Sequence, residues 1–206
     1  MGLGILQPFA SVRGARSLAF VAALLMAGCE GVGIPATDDP NAKLSQAEYL
    51  RTDAGRIMQA RRLTEQAIEL FAQRGDKLGL AEAYRELGLV ALDGGLGDDP
   101  VVRRDPKAPL QPRPGDLDNA DKYLKRALDF ASEFDQPYMA GNINFVLGNI
   151  EVMRGTPLQS CAYYDLSIRS FRDAQTRMPD LHPIPPVDGS DPATFAGRAK
   201  KAAGCP

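Results

Sequence analysis

Landmarks recur in this chain at an interval of sixty residues: Ala60, Ala67, Leu87, Gly88 and Gly95 return as Ala120, Ala127, Leu147, Gly148 and Gly155. Small residues returning at a fixed spacing mark a repeat architecture, in which each unit buries its apolar side only against its neighbours. A short third copy reads Gly155-Thr-Pro-Leu-Gln-Ser160 followed by Tyr164 and Ser167, and an early one reads Gly55-Arg-Ile-Met-Gln-Ala60 followed by Thr64 and Ala67. The pattern predicts an all-α fold, a short α-solenoid of about three helical hairpins.

The spacing has a packing reason. A small residue on a helix lets a facing helix approach, and a large one four or seven positions away fills the neighbouring groove. Over Leu78 to Leu92, the residues Leu80, Ala83, Tyr84, Leu87 and Ala91 fall on one stripe, which predicts an amphipathic helix. Over Ala120 to Phe134 the same device uses Ala120, Tyr123, Leu124, Ala127, Leu128 and Ala131.

These residues resemble the tetratricopeptide repeat family, whose units carry Leu-Gly in a first helix, Gly at the turn and Ala at two places in the second helix. Here those positions are Leu87-Gly88, Gly95, Ala120 and Ala127, then Leu147-Gly148 and Gly155, with Ser160 and Ser167 replacing the two alanines. The match spans residues 41–174. It departs from the family pattern in the first repeat, which shows Ala47-Glu48 in place of Leu-Gly, in an insertion within the second repeat, and in a longer spacing between hairpins.

Composition excludes some functions. The chain has 206 residues, 44% of them hydrophobic, and no Trp, which bounds it to one modest core. A formal charge of −2 with no basic stripe interleaved with aromatics argues against nucleic acid as a partner. The one histidine, His182, stands between Leu181 and Pro183, so no Ser-His-Asp, Cys-His or two-histidine metal set can be assembled. No catalytic residue, cofactor or metal is expected.

At the N-terminus, Arg13 and Arg16 precede the apolar run from Leu18 to Ala27, which is too short to span a bilayer. A basic start, a short apolar stretch and small residues at its end fit an export signal over residues 1–28. Leu25-Met26-Ala27-Gly28-Cys29 resembles the bacterial lipobox, with Met26 where Leu is usual. The resemblance implies lipidation of Cys29, which would become the first mature residue. More than one acyl chain is what stable anchoring requires. Loss of residues 1–28 leaves 22 cationic against 26 acidic side chains, a net of −4. Glu30 follows the cysteine where the inner-membrane retention signal has Asp, which by analogy points to the outer membrane, facing the periplasm. Residues 29–40, with Gly31, Gly33, Pro35 and Pro40, read as a flexible tether.

Between the two helices of the second hairpin lies an insertion at about residues 96–115, with Pro100, Pro106, Pro109, Pro112 and Pro114. Those prolines predict neither helix nor central strand. A docking loop and a solvated excursion are both open readings. Asp93, Asp98 and Asp99 fit no EF-hand spacing.

In the third hairpin, Pro137 and Pro157 suit first helical turns, with Asp135 and Thr156 as expected caps. Its first helix, Tyr138 to Arg154, contains Asn142, Asn144 and Asn149, which are poor helix formers. Asn142 and Asn149 share a face with Phe145, near Val152 and Met153. The family resemblance implies that this face lines a protein-binding groove, joined by Glu82, Arg85 and Leu89 from the second repeat and by Ser45, Tyr49 and Thr52 from the first. Phe145 and Val146 stand where a clamp for a terminal carboxylate needs polar groups. Asparagine amides offer donor and acceptor to a peptide backbone. The plain alternative is that they face solvent or bond neighbouring helices.

Residues 175–191 are Pro-rich, and Asp191-Pro192 predicts the cap and first turn of a capping helix within 192–206, with Phe195 and Ala199 covering the last hairpin and Lys200 and Lys201 outward. Cys161 and Cys205 are the thiols left beside Cys29, and an exported chain with one pair predicts a disulfide.

The expectation is a lipid-anchored scaffold of the bacterial envelope that binds a protein or peptide partner. Two alternatives stand beside it: an envelope enzyme or accessory protein acting on peptidoglycan, and a passive structural subunit whose groove is filled by its own tail.

Overall fold

A computed structural model describes residues 37–94, 114–180 and 189–206. The export signal, Cys29, most of the tether, the insertion up to residue 113 and the prolines around His182 lie outside the described residues. All described residues belong to one unit, Thr37–Pro206.

Among the described residues there are seven helices and no strand: α1 (Pro40–Thr52), α2 (Ile57–Arg74), α3 (Lys77–Leu92), α4 (Pro114–Glu133), α5 (Pro137–Arg154), α6 (Pro157–Arg177) and α7 (Pro192–Ala202). The closest pairs are α1 with α2, α3 with α4, and α5 with α6, and each hairpin packs on the next through α2 on α3 and α4 on α5. The fold is all-α, three helical hairpins in a row, with α7 against α6.

The periodic landmarks form the core. On the second helices, Ala60, Thr64, Ala67 and Phe71 of α2 are buried, as are Ala120, Leu124, Ala127 and Ala131 of α4, and Ser160, Tyr164, Ser167 and Phe171 of α6. Each set has offsets of zero, four, seven and eleven, the spacing of one helical face. On the first helices, Gly88 and Gly148 let the partner helix close in. A Cβ on Gly88 would stand 2.7 Å from Leu124 Cγ, and one on Gly148 2.8 Å from the Tyr164 ring. The serines at the alanine positions are satisfied internally: Ser167 Oγ donates to the Gly141 carbonyl at 2.8 Å and Ser160 Oγ to the Pro157 carbonyl at 2.9 Å.

Helix boundaries follow local chemistry, with three corrections. Asp39, Asp76 and Asp191 cap α1, α3 and α7, their carboxylates accepting from the amides of Asn41, Gly79 and Thr194. α4 begins at Pro114, so the expected insertion ends inside a helical turn; proline is tolerated there because the first amides of a helix have no internal acceptor. Asp135 does not cap α5. It adopts φ 52° in the turn after α4, and its carboxylate takes the Arg177 guanidinium. Thr156 occupies the cap position of α6 but makes no capping bond; its hydroxyl turns back to the carbonyl and carboxylate of Glu151.

The last helix covers the third hairpin, Phe195 lying against Phe145 as expected, and it buries Ala193 and Ala196 in addition. Ala193 and Ala196 are its buried residues, packed with Phe171, while Phe195 and Ala199 are half-buried. Lys201 is exposed, but Lys200 reaches back to Asp165 at 3.1 Å. Cys161 and Cys205 are bridged, with Cα atoms 5.6 Å apart, which ties the chain after α7 to the start of α6.

Candidate functional site

The exposed stripes of the first helices are the place to look for a site, because the second helices spend their repeated positions on the core. On α1, Ala47 and Leu50 are buried, and Tyr49, between them in sequence, is turned out and 61% exposed. Ser45 and Thr52 are exposed on the same side, the Thr52 hydroxyl donating to the Glu48 carbonyl at 2.9 Å. On α3, Glu82 is exposed, and Arg85 and Leu89 are half-buried. Glu82 and Arg85 form no hydrogen bond or ion pair among the described residues.

The α5 stripe is largely engaged within the fold. Phe145 lies between Tyr164 of α6 and Phe195 of α7, with ring centroids at 5.9 and 5.3 Å. The Asn149 side-chain carbonyl accepts from the Tyr164 hydroxyl at 2.7 Å, and burial pushes that hydroxyl's pKa up. Asn142 is half-buried, with one amide proton on the Tyr138 carbonyl at 3.3 Å. Asn144 points into the core. Its nitrogen donates to the Ala140 carbonyl at 2.8 Å and its Oδ1 has no hydrogen-bond partner. What α5 leaves open near its C-terminal end is Val152 and Met153, 45% and 46% exposed.

Charge pairs beneath and beside these stripes fix the helices that carry them. Arg51 of α1 places Nε 2.7 Å from Glu86 Oε1 of α3, with Asp93 at 3.3 Å. Burial works against the Arg51 cation, and the two carboxylates outweigh it and raise its pKa. Further along the row, Arg154 of α5 joins Glu151 at 2.7 Å and Asp118 of α4 at 2.6 Å. Burial opposes ionisation of Glu151, and hydrogen bonds from Thr156 and Arg154 overcome it and hold the carboxyl below its ordinary range.

No three His, Cys, Asp or Glu side chains among the described residues are placed to hold a metal ion, and no described helix is long and apolar enough to cross a membrane. The side chains these stripes present are an exposed tyrosine, an arginine without a hydrogen bond or ion pair among the described residues, an exposed glutamate, and apolar side chains at the end of α5.

Two features escaped the sequence. Tyr84 of α3 stacks between Tyr123 and Phe130 of α4, at 6.3 and 6.2 Å, with the Arg126 guanidinium 4.8 Å above its ring. An open cleft also runs between α6 and α7, past Arg172 and Gly197. A glycine inside an alanine-rich helix was the available signal for the second. No protein family, curated protein or solved structure matches the chain.

Proposed function

We propose that this chain is a protein-interaction scaffold of the bacterial cell envelope, a tetratricopeptide-like row of hairpins held at the outer membrane by lipid on Cys29. It binds a protein or peptide partner through the exposed sides of α1 and α3 and the end of α5. The observation that carries the reading is that Tyr49 is 61% exposed and that Arg85 has no hydrogen bond or ion pair among the described residues. Neither contributes to the core, and tyrosine and arginine are the residue types that dominate binding energy at interfaces.

The covering of Phe145 by Phe195 narrows the reading. The chain's own last helix occupies part of the third hairpin, so the partner-binding face is weighted toward the first two.

Crosslinked capture from envelope extract tests it, with the wild-type chain beside Tyr49→Ala/Arg85→Ala, both shown to be helical by circular dichroism. Loss of a captured partner in the variant is the expected result. Equal capture by both chains would reject this face as the site. Anchoring is tested separately by metabolic labelling with palmitate, which should mark the wild type and leave Cys29→Ala unlabelled.

A further inference from the structure

Apart from Gly115, in the first turn of α4, which meets nothing within 4 Å, the glycines of the hairpin helices have a reason that can be read from their neighbours. A Cβ added to Gly79, Gly88, Gly141 or Gly148 would come within 3.0 Å of the side chain of Phe71, Leu124, Phe171 or Tyr164, respectively. Gly197, in the middle of α7, meets nothing within 4 Å. Glycine weakens a helix interior, and no contact within the described fold calls for it here.

The arrangement of helices gives the empty space a shape. α3 is covered by α4, with Leu124 over Gly88, and α5 by α6, with Tyr164 over Gly148. α7 lies on α6 with Phe195 turned toward Phe145. Beside that contact, Thr194 and Gly197 of α7, with the edge of Ala193, stand opposite Ile168, Arg172 and Gln175 of α6 across an open cleft of about 510 Å³. Among the described residues no helix covers α7 there.

Asp191 and Arg172 both line the cleft, and the charges around it without a partner are cationic. Arg172 lines it, Arg169 lies one turn away on the same side of α6, and Lys201 follows Gly197 by one turn on α7. None of these three cations has a hydrogen bond or ion pair among the described residues. The acids nearby are committed: Asp191 caps α7 through the Thr194 amide and meets Gln175 at 3.4 Å, Asp165 holds Lys200, and Asp173 holds Arg177. Arg198 donates to Ser190 Oγ at 2.6 Å.

We propose that this cleft docks one acidic amphipathic helix of a partner protein. Its small and apolar side chains seat on Ile168 and Gly197, and its carboxylates meet Arg169, Arg172 and Lys201. The backbone at Gly197 permits the close approach that Gly88 and Gly148 permit inside the fold, and the unpaired cations select an acidic helix over a basic one. This site is separate from the face of α1 and α3.

The test is fluorescence anisotropy on the full chain with two labelled helical peptides. One has leucine and alanine along one face with glutamate beside them; its counterpart has lysine in place of each glutamate. The acidic peptide should bind and the basic one should not. Gly197→Leu starts its side chain where a Cβ meets nothing within 4 Å, and Arg169→Glu/Arg172→Glu changes exposed side chains alone. Each should weaken the acidic peptide about tenfold or more, with circular dichroism unchanged, while Tyr49→Ala/Arg85→Ala should leave it unaltered. Failure of both peptides to bind, equal binding of both, or binding indifferent to Gly197→Leu would overturn the proposal. So would self-association of the wild type in sedimentation that Gly197→Leu abolishes, because the occupant would then be a second copy of this chain.

Discussion

Arg51 on the first helix and Glu86 on the third are joined across a hairpin boundary, Nε to Oε1 at 2.7 Å, with the Glu86 carboxylate almost wholly buried. The pair ties α1 to α3 directly, in addition to the packing of α2 between them. A buried carboxylate is costly unless it is paired, so each partner depends on the other.

Removing one partner should therefore cost more than removing both. Arg51→Met leaves the Glu86 charge without its partner and should destabilise the chain by about 3 kcal/mol. Arg51→Met/Glu86→Leu should recover most of that loss, because an apolar pair of similar volume has no charge to desolvate. Urea unfolding of the two variants beside the wild type measures both effects. A double variant no more stable than Arg51→Met would show that the pair is not the cause.

The two kinds of helical glycine should respond in opposite directions to the same change. Alanine at either position improves helix propensity by roughly 0.5–1 kcal/mol. At Gly148 the added methyl meets the Tyr164 ring, which is held in place by Asn149, and overpacking of this kind costs about 1–3 kcal/mol. At Gly197 nothing opposes it. Gly148→Ala should lower the melting temperature and Gly197→Ala should raise it. A rise in both would mean that the α5–α6 contact is loose enough to yield.

These glycines also mark where the sequence could be read and where it could not. Gly88 and Gly148 belong to the sixty-residue recurrence, and the buried sets running from Ala60, Ala120 and Ser160 follow it, because a helix that packs at every turn writes its buried side into a local period. Asp191 was legible as a cap for the same local reason. Asp135 was not, since its left-handed turn and its bond to Arg177 depend on a helix forty-two residues away. Phe145 and Asn149 have groove-like spacing on their own helix, yet Tyr164 and Phe195 claim them from two others. The cleft beside Gly197 is an absence of neighbours, which no periodicity records.

The disulfide makes the seating of α7 dependent on oxidation. Cys161 and Cys205 enclose a sequence separation of 44 residues, for which the chain-entropy model gives a stabilisation on the order of 4 kcal/mol. Unlipidated full-length chain, unfolded without reductant, should titrate one thiol, that of Cys29, and three after reduction. Cys161→Ser/Cys205→Ser should unfold at lower urea and bind more of a hydrophobic dye, as the cover over Phe145 loosens. Three thiols without reductant would contradict the bridge.

Acid should release the caps and clasps in a defined window. The Thr194 hydrogen bonds to Asp191 hold that carboxyl below its ordinary value, as the Arg177 bond does for Asp135, and Glu151 is also held low. For a carboxyl lowered on folding, the unfolded chain binds more protons between the two values. Its contribution is therefore complete above the ordinary carboxylate range, about pH 4, and is lost as pH falls through the folded value. Stability measured by urea midpoint should be flat from neutrality down to that range and decline below it. Asp191→Asn keeps a capping oxygen of nearly equal quality but has no proton to take up. The variant should match the wild type near neutral pH and show a shallower acid decline. Identical acid limbs would assign the loss to other carboxyls and leave the α7 cap without a part in it.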